Sequence, residues 1–132
     1  MTTPACRVVP SGHSYVGRQE LTYRAGLTGE TVGARGISMV LATLPPGARA
    51  KAHLHVGIET AVYVLDGEAA THFGAALGAV VVARAGEYVY IPADVPHLVI
   101  NQSNAPCRAL VAHTAPDDQA GIVLLPELDA LV

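Results

Sequence analysis

The sequence has no tryptophan, one phenylalanine and two cysteines, and only 14% of its residues are charged. It also has no run of Lys and Arg, and its formal net charge is −3. Proteins that bind nucleic acid or dock on an anionic membrane usually carry a basic patch. We therefore exclude both classes and expect the partners to be a small-molecule substrate and a second copy of the chain.

Targeting and membrane segments are also missing from the sequence. No stretch combines basic residues with an apolar core as a secretory signal does, and no apolar run approaches the roughly 20 residues of a membrane span. Cys6 and Cys107 lie far apart and form no CxxC motif. A reducing cytosol keeps such residues as thiols. The sequence thus predicts a cytoplasmic protein with two idle thiols.

Short apolar segments separated by turn residues make up most of the chain. Apolar residues account for 51% of the 132 positions, with thirteen glycines and nine prolines, and no long amphipathic helix is evident. Strands of five to eight residues repeat from Ile37 onward, which is typical of an all-β sandwich or barrel. We expect a single domain. Residues 1–36 form an arm or edge strands on the barrel or on a partner subunit, 37–116 form the barrel, and 117–132 form a tail that adds a strand or a short helix.

Three histidines mark a possible site. His53 and His55 are separated by one residue, so on a strand they point to the same face. His97 begins a later strand, directly after a turn bounded by prolines. His113 shares the strand parity of Cys107, which predicts that it reaches the barrel lumen as an acid–base group or as a support for metal ligands.

Two motifs of this sequence resemble those of the cupin superfamily. Gly47, His53, His55, Glu59 and Gly67 resemble the first motif, G-x5-H-x-H-x3-E-x6-G. The segment GEYVYIPADVPHLVIN, residues 86–101, resembles the second motif, G-x5-P-x-G-x2-H-x3-N, with Asp94 in place of its middle glycine. The eighteen residues between the motifs fit the short spacing of small, single-domain RmlC-like bacterial cupins, most of which have no assigned reaction.

The resemblance implies a double-stranded β-helix, the cupin jelly-roll barrel, with one metal ion near its open end. Carried over residue by residue, the metal ligands are His53, His55, Glu59 and His97. Imidazole nitrogens with one carboxylate suit a divalent transition metal, namely Fe, Mn, Ni, Cu, Co or Zn, whereas Ca and Mg prefer oxygen ligands. Four protein ligands on a six-coordinate ion leave two positions for water or substrate.

The position of Glu59 is open to two interpretations. Glu59 follows His55 at the spacing of the motif, but Gly67 comes one residue too late. Alignment backward from Gly67 puts Thr60 in the ligand position, because a slip of one residue turns a strand's side chains to the other face. We expect Glu59 to be a ligand, since a carboxylate is attracted to a cation beside it. Otherwise the site has three histidines and more open positions.

The resemblance also implies a class of function. We expect a metal-dependent enzyme that acts on a small organic substrate, with a dioxygenase-type oxidoreductase favoured. The alternatives are a non-redox isomerase, epimerase or lyase, and a cupin that binds a small ligand without catalysis. Pairing of sheets between two chains, common in the family, predicts a homodimer.

Overall fold

The computed structural model describes residues 3–132, which form two antiparallel β-sheets around one interior. The larger sheet has the strand order β1-β2-β3-β10-β5-β8, and the smaller has the order β11-β4-β9-β6-β7. The strand bounds are β1 Ser14–Val16, β2 Thr22–Leu27, β3 Ser38–Leu44, β4 His53–His55, β5 Thr60–Asp66, β6 Glu68–Phe73, β7 Ala79–Arg84, β8 Tyr88–Ile91, β9 His97–Ile100, β10 Cys107–His113 and β11 Ile122–Leu124. From β3 to β10, consecutive strands alternate between the sheets in the manner of a jelly roll, except that β6 and β7 form a hairpin within the smaller sheet. This topology confirms the predicted double-stranded β-helix.

Side-chain alternation explains why these segments form strands with one buried face. In β3, Ser38, Val40, Ala42 and Leu44 are buried, while the intervening residues are more exposed. Strand β10 pairs with β3 along its whole length, and its buried residues Cys107, Ala109 and His113 point to the same side. Alternation with a period of two residues places these side chains in the interior between the sheets.

The segments outside the central strands extend both sheets. Strands β1 and β2 add to the edge of the larger sheet, and a single helical turn, α1 Gly29–Val32, follows β2. In the tail, β11 pairs with β4, and a 3₁₀ helix spans Pro126–Leu131, so the tail contains both of the elements considered from sequence. Across residues 3–132, no helix has the length and apolarity required to span a membrane.

Candidate metal centre

His53, His55 and His97, here called the histidine trio, meet on the inner face of the smaller sheet. His53 on β4 lies directly opposite His97 on β9, and His55 is two residues along β4 on the same face. One nitrogen from each ring lies within 4.8 Å of those of the other two. All three side chains are buried, with exposed fractions of 3 to 5%. The structure thus brings together the three histidines that the sequence motifs singled out.

Backbone carbonyls orient the trio. Nδ1 of His53 lies 2.7 Å from the carbonyl oxygen of Lys51, and Nδ1 of His97 lies 3.0 Å from that of Val95. The corresponding contact of His55 is with Ala120, at 3.2 Å. A carbonyl only accepts hydrogen bonds, so Nδ1 carries the proton and Nε2 keeps a free lone pair. All three rings are therefore held in the tautomer that offers Nε2 to a cation, as in metal-binding histidines.

The environment keeps the trio uncharged at neutral pH. Burial, together with the neighbouring His97, lowers the pKa of His53 from its usual 6.5 to about 3. Burial lowers the pKa of His97 to about 4, and it also lowers the pKa of His55. Metal ions bind neutral imidazole, so these pKa shifts remove the competition between protons and a cation.

The structure does not bring Glu59 to the trio. Its carboxylate is exposed and accepts a hydrogen bond from the hydroxyl of Tyr90, while its backbone N–H donates to Thr114 Oγ1 at 3.0 Å. The added residue before Gly67 is accommodated in the loop between β4 and β5. Strand β5 begins at Thr60, and this register turns Glu59 outward.

Thr60 occupies the inward position for which Glu59 was expected. Its side chain is 4% exposed and lines the cavity, together with Val62 and Val64 farther along β5. The shared parity of these three residues in the sequence was the signal for this register. The threonine side chain is shorter than that of glutamate, so its hydroxyl does not reach as far toward a cation on the trio. The arrangement is therefore a three-histidine group with Thr60 beside it.

His113 reaches the lumen as its strand parity predicted. It is 5% exposed and its ring centroid lies 4.7 Å from that of His55. Burial, with the neighbouring His55 and His97, lowers its pKa to about 4. His113 is not part of the group of mutually close ligand atoms. The structure thus places it next to the trio, on the opposite sheet.

Buried polar atoms without a hydrogen-bond partner line up next to His113. In the register of the larger sheet, His113 lies between Ser38 on β3 and Thr60 on β5. His113 Nδ1, Ser38 Oγ and Thr60 Oγ1 are all buried and unpaired. Leaving such an atom unpaired costs about 1 to 3 kcal/mol. Sequence reasoning missed Ser38, because isolated hydroxyl residues are common on strands, and it considered Thr60 only as the residue that the alternative alignment puts in the ligand position.

A small, largely apolar cavity is lined by the trio, Thr60 and His113. Its volume is about 80 Å³, and it extends from the trio to Gln19 and Tyr23 on the side of β2. Among the described residues that line it there is no Asp, Glu, Lys or Arg. Three buried imidazoles with free Nε2 atoms suit a divalent transition metal, while the absence of lining carboxylates makes the site unsuitable for Ca or Mg.

Comparison with known proteins connects this geometry to a family. Residues 40–113 match the family model described as "Cupin domain". No curated protein matches the sequence.

Solved structures with the same fold come from several bacteria. An uncharacterized conserved protein with a double-stranded β-helix domain from Klebsiella pneumoniae is 22% identical, with a TM-score of 0.67 over 85% of this chain and 84% of that one. A predicted oxalate decarboxylase from Thermotoga maritima is 23% identical, with a TM-score of 0.63 over 87% and 93% of the two chains. These identities establish a common fold.

A longer relative contains this fold as one part. The oxalate decarboxylase of Lactobacillus farciminis, solved as a formate complex, is 19% identical with a TM-score of 0.71 over 86% of this chain. The chain spans only 33% of that enzyme's length.

Proposed function

The chain belongs to the cupin family, and we propose that its histidine trio binds one divalent transition-metal ion in an enzyme that acts on a small organic substrate. The observation that carries this proposal is the common orientation of the trio. Each Nδ1 is held by a backbone carbonyl, which leaves the three Nε2 lone pairs free, and one nitrogen of each ring lies within 4.8 Å of those of the other two. Burying three polar rings costs free energy, and a cation that binds all three explains why the fold does so.

The metal would be Fe, Mn, Ni, Cu, Co or Zn, because imidazole ligands suit these ions. When bound, such an ion would polarise a substrate oxygen or, if redox-active, take part in oxidation. The surrounding residues exclude bulk water, since the cavity is lined mainly by apolar side chains. His113, adjacent to His55, is the candidate for moving a proton to or from the substrate.

We favour a dioxygenase-type oxidoreductase among the possible reactions. The three histidines would hold the ion and leave room on it for small ligands, and a redox-active ion would supply the oxidation chemistry. The alternatives are a non-redox isomerase, epimerase or lyase, and a non-enzymatic cupin that binds a small ligand. Two structural neighbours are an oxalate decarboxylase and a predicted oxalate decarboxylase, so decarboxylation of a small acid joins the lyase alternative.

Metal analysis of purified protein tests the proposed ion. We expect about one equivalent of transition metal in the wild type and a loss of most of it in His55→Ala. His13→Ala is the matched control, because His13 is exposed and does not line the cavity. Full metal content in His55→Ala would contradict the site.

Oxygen-electrode measurements on the iron-loaded protein then test the reaction class. We expect oxygen uptake with some members of a panel of small hydroxy- and oxo-acids. If iron is bound and no oxygen is consumed, proton NMR of the same mixtures distinguishes isomerisation or decarboxylation from binding alone.

We further propose that the protein is a cytoplasmic homodimer. Apolar side chains are exposed at the edges of both sheets, including Val80, Val81 and Val82 on β7 and Tyr88 on β8. Such edge strands are usually covered in native assemblies. Sedimentation equilibrium should give twice the monomer mass, and a monomer at micromolar concentration would argue against the dimer.

A further inference from the structure

Thr60 and His113 form a polar pair on the larger sheet that the trio does not use. They lie side by side in direct register on β5 and β10, and both line the cavity. More than nine-tenths of each side chain is buried, yet Thr60 Oγ1 and His113 Nδ1 have no hydrogen-bond partner. Buried polar atoms in native proteins almost always have a hydrogen-bond partner. Two adjacent atoms without one, on residues that line a cavity, therefore indicate a bound ligand.

The distance between the pair and the trio limits the size of that ligand. The ring centroid of His113 lies 4.7 Å from that of His55, so the pair borders the trio directly. At the roughly 30 Å³ that a water molecule occupies in the liquid, a volume of about 80 Å³ holds about three water-sized groups. A ligand that contacts both the pair and the trio therefore has only a few non-hydrogen atoms.

The charges around the cavity favour an anion. The lining residues described by the structure include no charged side chain, and imidazole binds a cation in its neutral form. With Glu59 turned outward, a divalent ion on the trio would keep both of its positive charges inside an apolar cavity. An anionic ligand compensates that charge, and the interaction is strong where water is excluded.

Building on the proposed metal site, we propose that Thr60 and His113 form a subsite for the outer oxygen of a compact carboxylate. The Thr60 hydroxyl and the imidazole N–H of His113 donate to this oxygen, while the rest of the ligand faces the trio. The carboxylate thereby takes over the charge compensation that Glu59 does not provide. Thr60 and His113 determine which small acids fit.

Calorimetric titration of the zinc-loaded protein tests this subsite, with glycolate as the ligand and glycolamide as a neutral ligand of the same size. Zinc excludes redox turnover, so the titration measures binding alone. We expect glycolate to bind and glycolamide to bind at least tenfold more weakly, and the metal-free protein to bind neither.

Two substitutions connect the binding to the pair. Thr60→Val keeps the shape of the side chain but removes the hydroxyl, and we expect it to weaken glycolate binding about tenfold without loss of zinc. His113→Phe should weaken it similarly. Thr71→Val is the matched control, because Thr71 also lines the cavity but lies on the other sheet and is not among the unpaired residues.

The outcomes separate this inference from the proposed function. If elemental analysis before titration finds no zinc in the wild type, the metal site itself is wrong. If zinc is bound but glycolate does not bind, or binds no better than glycolamide, the anion subsite is overturned. Wild-type affinity for glycolate in both Thr60→Val and His113→Phe would overturn it as well.

Discussion

His53 and His97 lie directly opposite each other on the neighbouring strands β4 and β9, and their ring centroids are 4.3 Å apart. This cross-strand pair joins the two sequence motifs in space. His55 completes the group from the same strand as His53. Because three rings depend on one pairing of strands, the site forms only when the smaller sheet is correctly assembled.

The outward position of Glu59 leads to a first prediction. Glu59→Gln should leave the metal content and affinity of the protein unchanged, because the carboxylate is exposed and contacts Tyr90. Metal affinity can be measured by competition with a chromophoric chelator. His97→Ala, measured in parallel, should lose most of the metal. A tenfold or larger loss of affinity in Glu59→Gln would show that Glu59 turns inward when metal binds.

This contrast between Glu59 and the trio shows what the sequence could predict. Spacing of one residue on a strand puts His53 and His55 on one face, and the two motifs together gave the barrel and its third histidine. The outward turn of Glu59 depends on where β5 begins, and a loop can take up one residue without a visible change in the pattern. The sequence offered both interpretations and did not decide between them.

Contacts made by the backbone were beyond the reach of sequence reasoning. The carbonyl of Ala120, which orients His55, belongs to a loop after β10 whose path no motif records. Ser38 was also missed, because its position beside His113 is set by the pairing of β3 with β10. Such contacts arise from the register of distant strands.

Acid should lower the free energy of unfolding of the metal-free protein more than it would if these histidines were exposed. The pKa values of His53, His97 and His113 are lowered to between about 3 and 4, whereas those in the unfolded chain are near 6.5. Below pH 6.5 the unfolded chain therefore binds more protons than the folded one, and stability is lost as the pH falls toward 4. Between pH 6.5 and pH 5 the loss is roughly 2 kcal/mol for one such histidine.

Urea denaturation of chelator-treated protein at several pH values measures this effect. In His53→Gln, the slope of unfolding free energy against pH between 6 and 5 should fall by about 1.4 kcal/mol per pH unit, the value for one proton. His13→Gln should keep the wild-type slope, because His13 is exposed. Equal slopes in the wild type and His53→Gln would show that His53 is not held neutral by the fold.

Asn101 should contribute more to stability than other polar residues near it. It is fully buried, its Nδ2 donates to the carbonyls of Leu44 and Ala105 at 2.9 and 2.8 Å, and its Oδ1 accepts from Ser103. Asn101→Ala leaves several of these groups unpaired and should lower the free energy of unfolding by roughly 2 to 4 kcal/mol.

Chemical denaturation of Asn101→Ala and Asn104→Ala separates this network from a general effect of asparagine loss. Asn104 is exposed in the same loop, so its substitution should change stability by about 0.5 kcal/mol or less. Similar losses in the two variants would contradict a special role for the buried amide.

Gly67 should tolerate a side chain less well than any glycine in an open turn. It connects β5 of the larger sheet to β6 of the smaller with φ of +76°, and a Cβ atom there would collide with the carbonyl oxygen of Pro106 and come within 2.9 Å of Cys107 Cα. Gly86 also has a positive φ, of +89°, but has open space around its Cα. The left-handed conformation costs an alanine about 1 to 2 kcal/mol at either position. The collision with backbone adds about 1 to 3 kcal/mol at Gly67 alone.

Comparison of Gly67→Ala with Gly86→Ala by urea denaturation therefore separates crowding from backbone strain. Gly67→Ala should be the less stable by at least about 1 kcal/mol, since the backbone atoms that its methyl group meets belong to Pro106 and to Cys107 at the start of β10, and they move only if the pairing of β10 with β5 shifts. That pairing also holds Thr60 beside His113. A shift large enough to admit the methyl group should therefore change the cavity as well as the stability. Equal losses of stability in the two variants would show that the turn at Gly67 accommodates the methyl group without an additional cost in free energy.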